Sequence, residues 1–376
     1  MRIGVDLRPL LTQSPSGVSY FAARVLPELV SGSSYSDEVV GFANSWRGVD
    51  LRLDVQDSVR RVFTRYPNKF LHGAMMVAGA PRLEWFNPLA EVWFLPNFDF
   101  FATNKPYVVT VHDLSFVHFP HFYSAKQRAW HRLIGVGGVL RRAAAIVAVS
   151  EATKADVIET FGVASEQVFV APLAPTIGGE VGMEKIEEVR ARYGLPERFV
   201  LYLGDVSVRK NVVGLVEAFA RVKTAAGLVI GGAMGFGSAD VVRVIAGLPA
   251  EVRGRIRLIG YVRDEDRAAL YAAASVFVYP SYAEGFGLPP LEAMSVGVPV
   301  VASDIPAHVE VLGDDALLAD PYNVVEIVMG IEGFLEDSEL AREFGERGRR
   351  RAALYDWGRT GREVRAAIQF AHDRSK

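Results

Sequence analysis

Short apolar runs, each followed by a glycine- or polar-rich turn and then a helical stretch, recur along the chain. This alternation restricts the fold more than any other feature. The first instance is residues 2–7, a strand pattern, then a loop over 8–17 containing Pro9, Pro15 and Gly17, then helical periodicity from about 18 to 30. Strand, glycine loop and helix form a βα unit. Further strands are predicted at 38–43, 92–95, 107–112 and 145–149, with helical stretches between them. Such alternation predicts an α/β protein with parallel sheets, doubly wound, covered by helices on both faces. With 376 residues, half of them apolar, the chain is large enough for two such domains. A Pro/Gly-rich stretch after the strand at 168–171, Pro172-Leu-Ala-Pro175-Thr-Ile-Gly-Gly179, is the best place for the boundary.

Residues 284–303 carry the most chemistry. Glu284-Gly-Phe-Gly-Leu-Pro-Pro-Leu-Glu292-Ala-Met-Ser-Val-Gly297 reads as loop, short helix and stop, followed by a buried strand from Val298. Pro289 and Pro290 suit the first helical positions, where a missing N–H costs nothing. Gly285 and Gly287 bracket Phe286, so the backbone there can admit a ligand closely. The unsatisfied N–H groups and positive end of the predicted helix make a site for an anion or for sugar hydroxyls. Glu284 and Glu292 flank it, within reach of one ligand. A second phosphate site is predicted where the apolar strand 199–203 ends in Gly204-Asp205 and is followed by Arg209-Lys210-Asn211 at a helix start. There, Arg can grip one phosphate bidentately and Lys another as a point charge.

The run Glu-Gly-Phe-Gly-Leu-Pro, with two glutamates eight apart, then Glu-Ala-Met and Gly-Val-Pro-Val-Val-Ala-Ser, resembles the E-x7-E motif of glycosyltransferase family 4 almost letter for letter. The resemblance implies the GT-B fold: two Rossmann-like domains facing a central cleft, with the C-terminal helix crossing back to the first. On this basis residues 1–172 are expected to be an acceptor-binding domain and 173–355 a nucleotide-sugar donor domain. Asp356-Trp357 and the helical stretch after it, within 356–376, would be the returning helix. The Gly204-x4-Arg209-Lys210-Asn211 run is similar to the family's donor-phosphate motif, although Asp205 stands where common relatives carry Arg. Gly17 aligns with the glycine loop that lies under the donor diphosphate in the family. The run Ser16-Gly-Val-Ser-Tyr20 lacks the second glycine of many relatives, and a plain helix-start role for Gly17 stays open.

The strand ending Val109-Thr-Val-His112-Asp113 is similar to the family segment whose histidine reaches the donor sugar, which implies that role for His112. Its placement at the carboxyl edge of a sheet, where open α/β sheets bind ligands, agrees. Asp113 would either orient the imidazole or cap the next turn. Gly260-Tyr261-Val262 resembles the segment whose backbone contacts the nucleobase. Carried over in this way, Glu292 holds ribose hydroxyls, and Glu284 binds sugar hydroxyls beside the amides of Phe286 and Gly287. Whether Glu284 also acts as a nucleophile stays open. Arg209, Lys210, the Gly17 loop and the helix start near Leu288 would stabilise the nucleoside diphosphate leaving group. The expected activity is retaining transfer of a hexose from a nucleotide diphosphate sugar to a hydroxyl of a glycan or lipid-linked acceptor. GDP-mannose is the favoured donor and a UDP-sugar the alternative. A non-catalytic sugar-nucleotide or glycan binding module is the reading from another class. No cofactor or metal is expected.

Composition excludes several other classes. The net charge is −3, with a slight basic excess confined to residues 1–172, which gives no sign of a nucleic-acid partner. The lack of Cys removes disulfides and thiolate metal sites. The start Met1-Arg-Ile-Gly-Val-Asp6 has no apolar leader pattern, and no apolar run reaches the roughly 18 residues of a membrane span. A cytoplasmic protein is expected, with the inner face of the membrane as a place of peripheral contact. Residues 58–83 mix Arg60, Arg61, Arg65 and Lys69 with Phe70, Leu71, Met75, Met76 and Val77. They read either as a core helix with a charged face or as an anionic-membrane dock. Gly231-Gly-Ala-Met-Gly-Phe-Gly237 fits a dinucleotide fingerprint poorly, so a dehydrogenase is disfavoured.

Overall fold

The computed structural model describes residues 1–11, 16–31, 38–46 and 59–374. Pro15 of the predicted glycine loop and Ser58 of the basic segment lie outside the described residues. The chain packs as two units.

The first unit comprises Met1–Leu114, Ala125–Leu173 and Asp356–Lys376. Its strands are β1 (Arg2–Asp6), β2 (Glu38–Asn44), β3 (Arg60–Thr64), β4 (Val92–Leu95), β5 (Tyr107–Val111), β6 (Ala145–Ala148) and β7 (Val168–Val170). They form a parallel sheet in the order β3-β2-β1-β4-β5-β6-β7. Every residue of β4, β5 and β6 is buried, as expected for strands covered by helices on both faces. The terminal helix Trp357–Asp373 is capped by Asp356, which accepts from the Arg359 N–H. It packs on the helix Gly17–Ser31 and on β4 to β7. Arg365 donates to the Leu29 carbonyl and Thr360 to that of Pro172.

The second unit comprises Ser115–Ser124 and Ala174–Tyr355. Here β8 (Phe199–Leu203), β9 (Gly227–Gly231), β10 (Ile256–Gly260), β11 (Val276–Tyr279), β12 (Val300–Ser303) and β13 (Leu317–Ala319) form a parallel sheet ordered β10-β9-β8-β11-β12-β13. Its core contains Phe199, Tyr202, Phe219, Tyr271, Phe277 and Tyr279, all fully buried. Two Rossmann-like parallel-sheet units are therefore present, with seven and six strands. In each, the winding reverses between two neighbouring strands, β1 and β4 in one and β8 and β11 in the other. Doubly wound sheets open a ligand crevice at the carboxyl ends of such strands.

One local expectation changes. Residues 58–83 are not one helix: Arg60–Thr64 is the edge strand of the first sheet, and the helix begins only at Asn68 and ends at Val77. The two arginines disguise a β-branched and aromatic run, and charge is what an exposed edge strand needs to resist pairing with other chains. The arginine-rich stretch after residue 124 forms two helices, Ala125–Ile134 and Val136–Arg142, broken at Gly135.

Candidate functional site

In the second unit the crevice is built from the ends of β8 and β11. β8 runs into Gly204, whose N–H donates to the Gly231 carbonyl at 3.0 Å. The turn lies so close to its neighbour that a Cβ on Gly232 would stand 1.9 Å from the Gly204 oxygen. After Asp205 the chain makes a 3-10 turn, Val208–Lys210, and Asn211 in a left-handed conformation starts the helix Val212–Phe219. Asn211 caps that helix by accepting from the Gly214 N–H, and its amide donates to the Pro321 carbonyl at 2.7 Å. This double tether fixes the preceding Arg209 and Lys210.

β11 delivers Glu284 to the same place. Arg209 Nη1 donates to the Glu284 carboxylate at 3.0 Å and to the Ala283 carbonyl at 2.7 Å. Lys210 Nζ donates to the other Glu284 oxygen and, at 2.5 Å, to the Tyr279 hydroxyl. The three charged side chains are 10–19% exposed. Burial would raise the Glu284 pKa, but the charges of Arg209 and Lys210 outweigh it and hold the carboxyl well below its ordinary value. Burial, with the neighbouring Arg209 charge, lowers that of Lys210 against the attraction of Glu284. Two cations on one carboxylate leave the cluster with a single net positive charge.

Beyond Glu284, Gly287 adopts φ +101°, open to glycine and strained for any other residue, and starts the helix Leu288–Ser295. A Cβ on Gly287 would also lie 2.7 Å from the ring of His308 beneath it. His308 is fully buried, with Nδ1 3.1 Å from the Ser303 carbonyl. Its Nε2 has no hydrogen-bond partner among the described residues. Burial, the largest influence, lowers its pKa to about 4 against the pull of Glu284. With Pro289 and Pro290 in the first turn, the helix start offers fewer N–H donors than its position suggests. Those of Phe286, Gly287 and Leu288 make no hydrogen bond to the described residues.

Glu292 points into a separate, fully buried niche. It accepts from the Thr176 hydroxyl at 2.5 Å, from the Tyr271 hydroxyl at 3.3 Å and from Arg267. The two glutamates of the motif therefore share no hydrogen-bond partner among the described residues. Tyr261, just past β10, is 50% exposed and stands two strands away from β8.

The first unit holds the other two predicted residues. His112 follows β5, with Nε2 2.8 Å from the Pro96 carbonyl and its ring edge-on to Phe21 at 5.1 Å. That contact puts the proton on Nε2 and leaves Nδ1 as an acceptor. Burial lowers its pKa, opposed by Pro96 and Asp113. Gly17 opens the first helix, and a Cβ there would meet nothing within 4 Å among the described residues, so no contact with them demands glycine. The structure brings Gly204, Arg209, Lys210, Glu284 and Phe286–Leu288 together in one crevice, and sets Glu292, expected within reach of the same ligand as Glu284, apart in its own niche. Sequence reasoning missed Arg267, Thr176, Tyr279 and His308. Of these only His308, five residues past the buried strand β12, has a position that could have suggested it.

Residues 185–351 match the family described as "Glycosyl transferases group 1", and residues 38–174 that described as "Glycosyltransferase Family 4". The O-antigen chain mannosyltransferase B of Escherichia coli is 32% identical over 305 residues, which cover 77% of this chain and 78% of that protein. The serotype-specific mannosyltransferase WbdA of Escherichia coli is 30% identical over 228 residues, covering 58% of this chain but 28% of WbdA. Among solved structures, Anabaena HepE in complex with UDP and glucose superposes with a TM-score of 0.73 at 19% identity, covering 98% of this chain and 99% of HepE.

Proposed function

Since the chain belongs to the group 1 glycosyltransferases of family 4, we propose that it moves mannose from GDP-mannose to a hydroxyl of a glycan or glycolipid acceptor, with retention at the anomeric carbon. The observation that carries the reading is the Arg209–Glu284–Lys210 cluster at the carboxyl ends of β8 and β11, beside the helix that starts at Leu288. Its net positive charge and the helix end suit a diphosphate, whose negative charge grows as the bond to the sugar breaks. In the transfer, the bond between the anomeric carbon and the diphosphate oxygen breaks. The acceptor oxygen bonds on the same face, and its proton leaves toward the departing phosphate.

Glu284 acts here as a sugar-hydroxyl acceptor rather than as a nucleophile. A carboxylate stabilised by two cations, with a depressed pKa, is a weak base and a weak nucleophile. Glu292 is assigned the ribose hydroxyls, which requires its Arg267–Thr176–Tyr271 niche to open, since the carboxylate is fully buried there, and Tyr261 borders the nucleobase. His112, through Nδ1, meets the donor sugar, whereas Gly17, between Ser16 and Val18 on the wall of the first unit's own crevice, keeps a helix-start role. No metal is assigned to this chemistry.

Mannose is favoured by the names of relatives that are about 30% identical to the chain over the aligned residues. A UDP-sugar is the second reading, since HepE was solved with UDP and glucose. Calorimetric titration of GDP-mannose, UDP-glucose, UDP-GlcNAc and their nucleotides, with EDTA present, tests both, followed by turnover of the donor that binds. Saturable binding of GDP-mannose and release of GDP support the proposal. Preference for a uridine nucleotide selects the second reading, and binding without turnover makes the chain a binding module.

For a lipid-linked acceptor, the helix Asn68–Val77 offers a contact to anionic lipid. It exposes Phe70, Met76 and Val77 beside Arg65 and Lys69. No helix among the described residues is long and apolar enough to cross a membrane.

A further inference from the structure

A second crevice, of about 380 Å³, opens in the first unit at the carboxyl ends of β1, β2 and β4, where that sheet reverses its winding. Its size falls at the lower end of small-molecule sites, about 300–1,000 Å³, and suits one or two sugar rings. We propose that it seats an uncharged sugar ring of the acceptor, read by Asn97, His72 and Asp99, and that it turns away acceptors carrying phosphate or carboxylate there. The inference rests on the transferase reading and adds the class of group that the acceptor presents.

The floor is rigid. Arg8 is buried and grips Asp6 bidentately, through Nε at 2.9 Å and Nη2 at 2.6 Å, while Nη1 reaches the Phe100 carbonyl at 2.9 Å and Asp99 at 3.2 Å. One wall is held by Asn44, whose four hydrogen-bonding positions are all occupied. Its amide donates to the Tyr66 carbonyl and to Asn68, and its oxygen accepts from the Thr64 hydroxyl and the Tyr66 N–H, all between 2.7 and 3.0 Å. Groups held this tightly position a ligand without reorganising.

Above the floor the available chemistry is that of hydroxyl recognition. Asp99 uses one oxygen for the Phe100 N–H at 2.8 Å and the other for Arg8, and a carboxylate offers about four acceptor positions. His72 stands 3.8 Å from Asp99 and is 27% exposed. Asn97 lines the crevice, and its side-chain amide makes no hydrogen bond to the described residues. Amide, imidazole and carboxylate together donate to and accept from a polyol.

Charge decides between a sugar and an anion. Asp6 and Asp99 against Arg8 leave one net negative charge, and the guanidinium is spent on those two carboxylates. Burial lowers the pKa of His72, so its imidazole adds no positive charge at neutral pH. A phosphate or uronate would meet repulsion there, whereas hydroxyls meet acceptors.

The test uses the full chain and ligand-observed saturation-transfer NMR with methyl α-mannoside, methyl α-glucoside, glucuronate and mannose 6-phosphate as probes. Nucleotide-sugar binding is measured on the same samples by titration. At least one neutral glycoside should bind saturably and the two anionic sugars should not. Asn97→Ala and Asp99→Asn should each weaken that glycoside at least fivefold and leave nucleotide-sugar affinity unchanged. Asn97→Ala removes no ion pair, so it tests the site even if Asp99→Asn disturbs the Arg8 floor. Anionic sugars that bind as well, no glycoside binding, or binding indifferent to Asn97 would overturn the inference. If nucleotide sugars bind in those cases, the transferase reading survives; loss of nucleotide binding with glycoside binding intact would reject that reading instead.

Discussion

Replacing His308 with asparagine should flatten the acid side of the stability curve. His308 is fully buried, faces Glu284 and Lys210, and lies beneath Gly287, with Tyr279 6.1 Å from its ring. Its pKa is lowered to about 4 in the fold against 6.5 for an ordinary histidine. The folded value is the lower one, so as the pH falls the unfolded chain takes up the proton first. The stability due to the neutral ring is therefore fully present above the unfolded pKa and is lost as the pH falls toward 4. At about 1.36 kcal/mol per pH unit the full loss is about 3.4 kcal/mol, of which about 2 kcal/mol falls between pH 7.5 and 5.0. Asparagine keeps a donor for the Ser303 carbonyl but cannot titrate. The variant should lose some stability at every pH and show a slope smaller by about 2 kcal/mol over that window. Denaturant melts followed by far-UV circular dichroism at four or five pH values give both curves. His72, His112 and His131 also have lowered pKa values and contribute slopes of the same sign, so the difference between the two proteins is the quantity to read. Parallel curves would mean that the ring is hydrated or already charged in the fold, and would refute its burial as the cause of the lowered pKa.

Lys210→Ala removes one charge-assisted hydrogen bond to the donor phosphates and should weaken nucleotide-sugar binding by about 1.5–3 kcal/mol, roughly 10- to 150-fold in Kd. Calorimetry reads this directly, and unchanged affinity would place the diphosphate elsewhere. Arg267→Ala leaves the Glu292 carboxylate fully buried with only hydroxyl partners, at a cost of about 3–5 kcal/mol. A thermal midpoint within a degree of the parent would show that Glu292 does not need its arginine. Val77→Asp, at a side chain 81% exposed, should leave stability within about 0.5 kcal/mol and reduce sedimentation with phosphatidylglycerol vesicles. Equal sedimentation would remove that helix from any lipid contact.

Elements whose pattern is local were legible in the sequence; partners that depend on packing between distant segments were not. The buried strands and the Gly287–Leu288 helix start follow from residues a few positions apart. β3 was hidden because Arg60 and Arg61 open a run only five residues long, and an edge strand shows little alternation. Arg267 was invisible for another reason. It sits in a helix with an ordinary charged face and meets Glu292 from 25 residues away. The Thr176 contact spans 116 residues. No spacing rule links such positions, since only the order of the strands brings them together.

The unequal settings of the two glutamates lead to a result that a simple reading of the motif as two acids would not anticipate. Glu284 is bound to both cations that should hold the diphosphate, so in the absence of a sugar it opposes the phosphates electrostatically. Glutamine in its place keeps an acceptor for Arg209 or Lys210 and removes the negative charge, raising the net charge of the cluster from one to two. Free GDP or UDP should then bind more tightly, by about 1.4 kcal/mol or roughly tenfold at low salt, with the gain shrinking as salt screens it. The intact nucleotide sugar should gain less, because its hydroxyls lose their carboxylate, and turnover should fall. Comparing Kd values for the nucleotide and the nucleotide sugar in the parent and in Glu284→Gln isolates the two effects. If both ligands weaken together, Glu284 serves mainly to orient Arg209 and Lys210, and its role as the sugar's acceptor has to be given up.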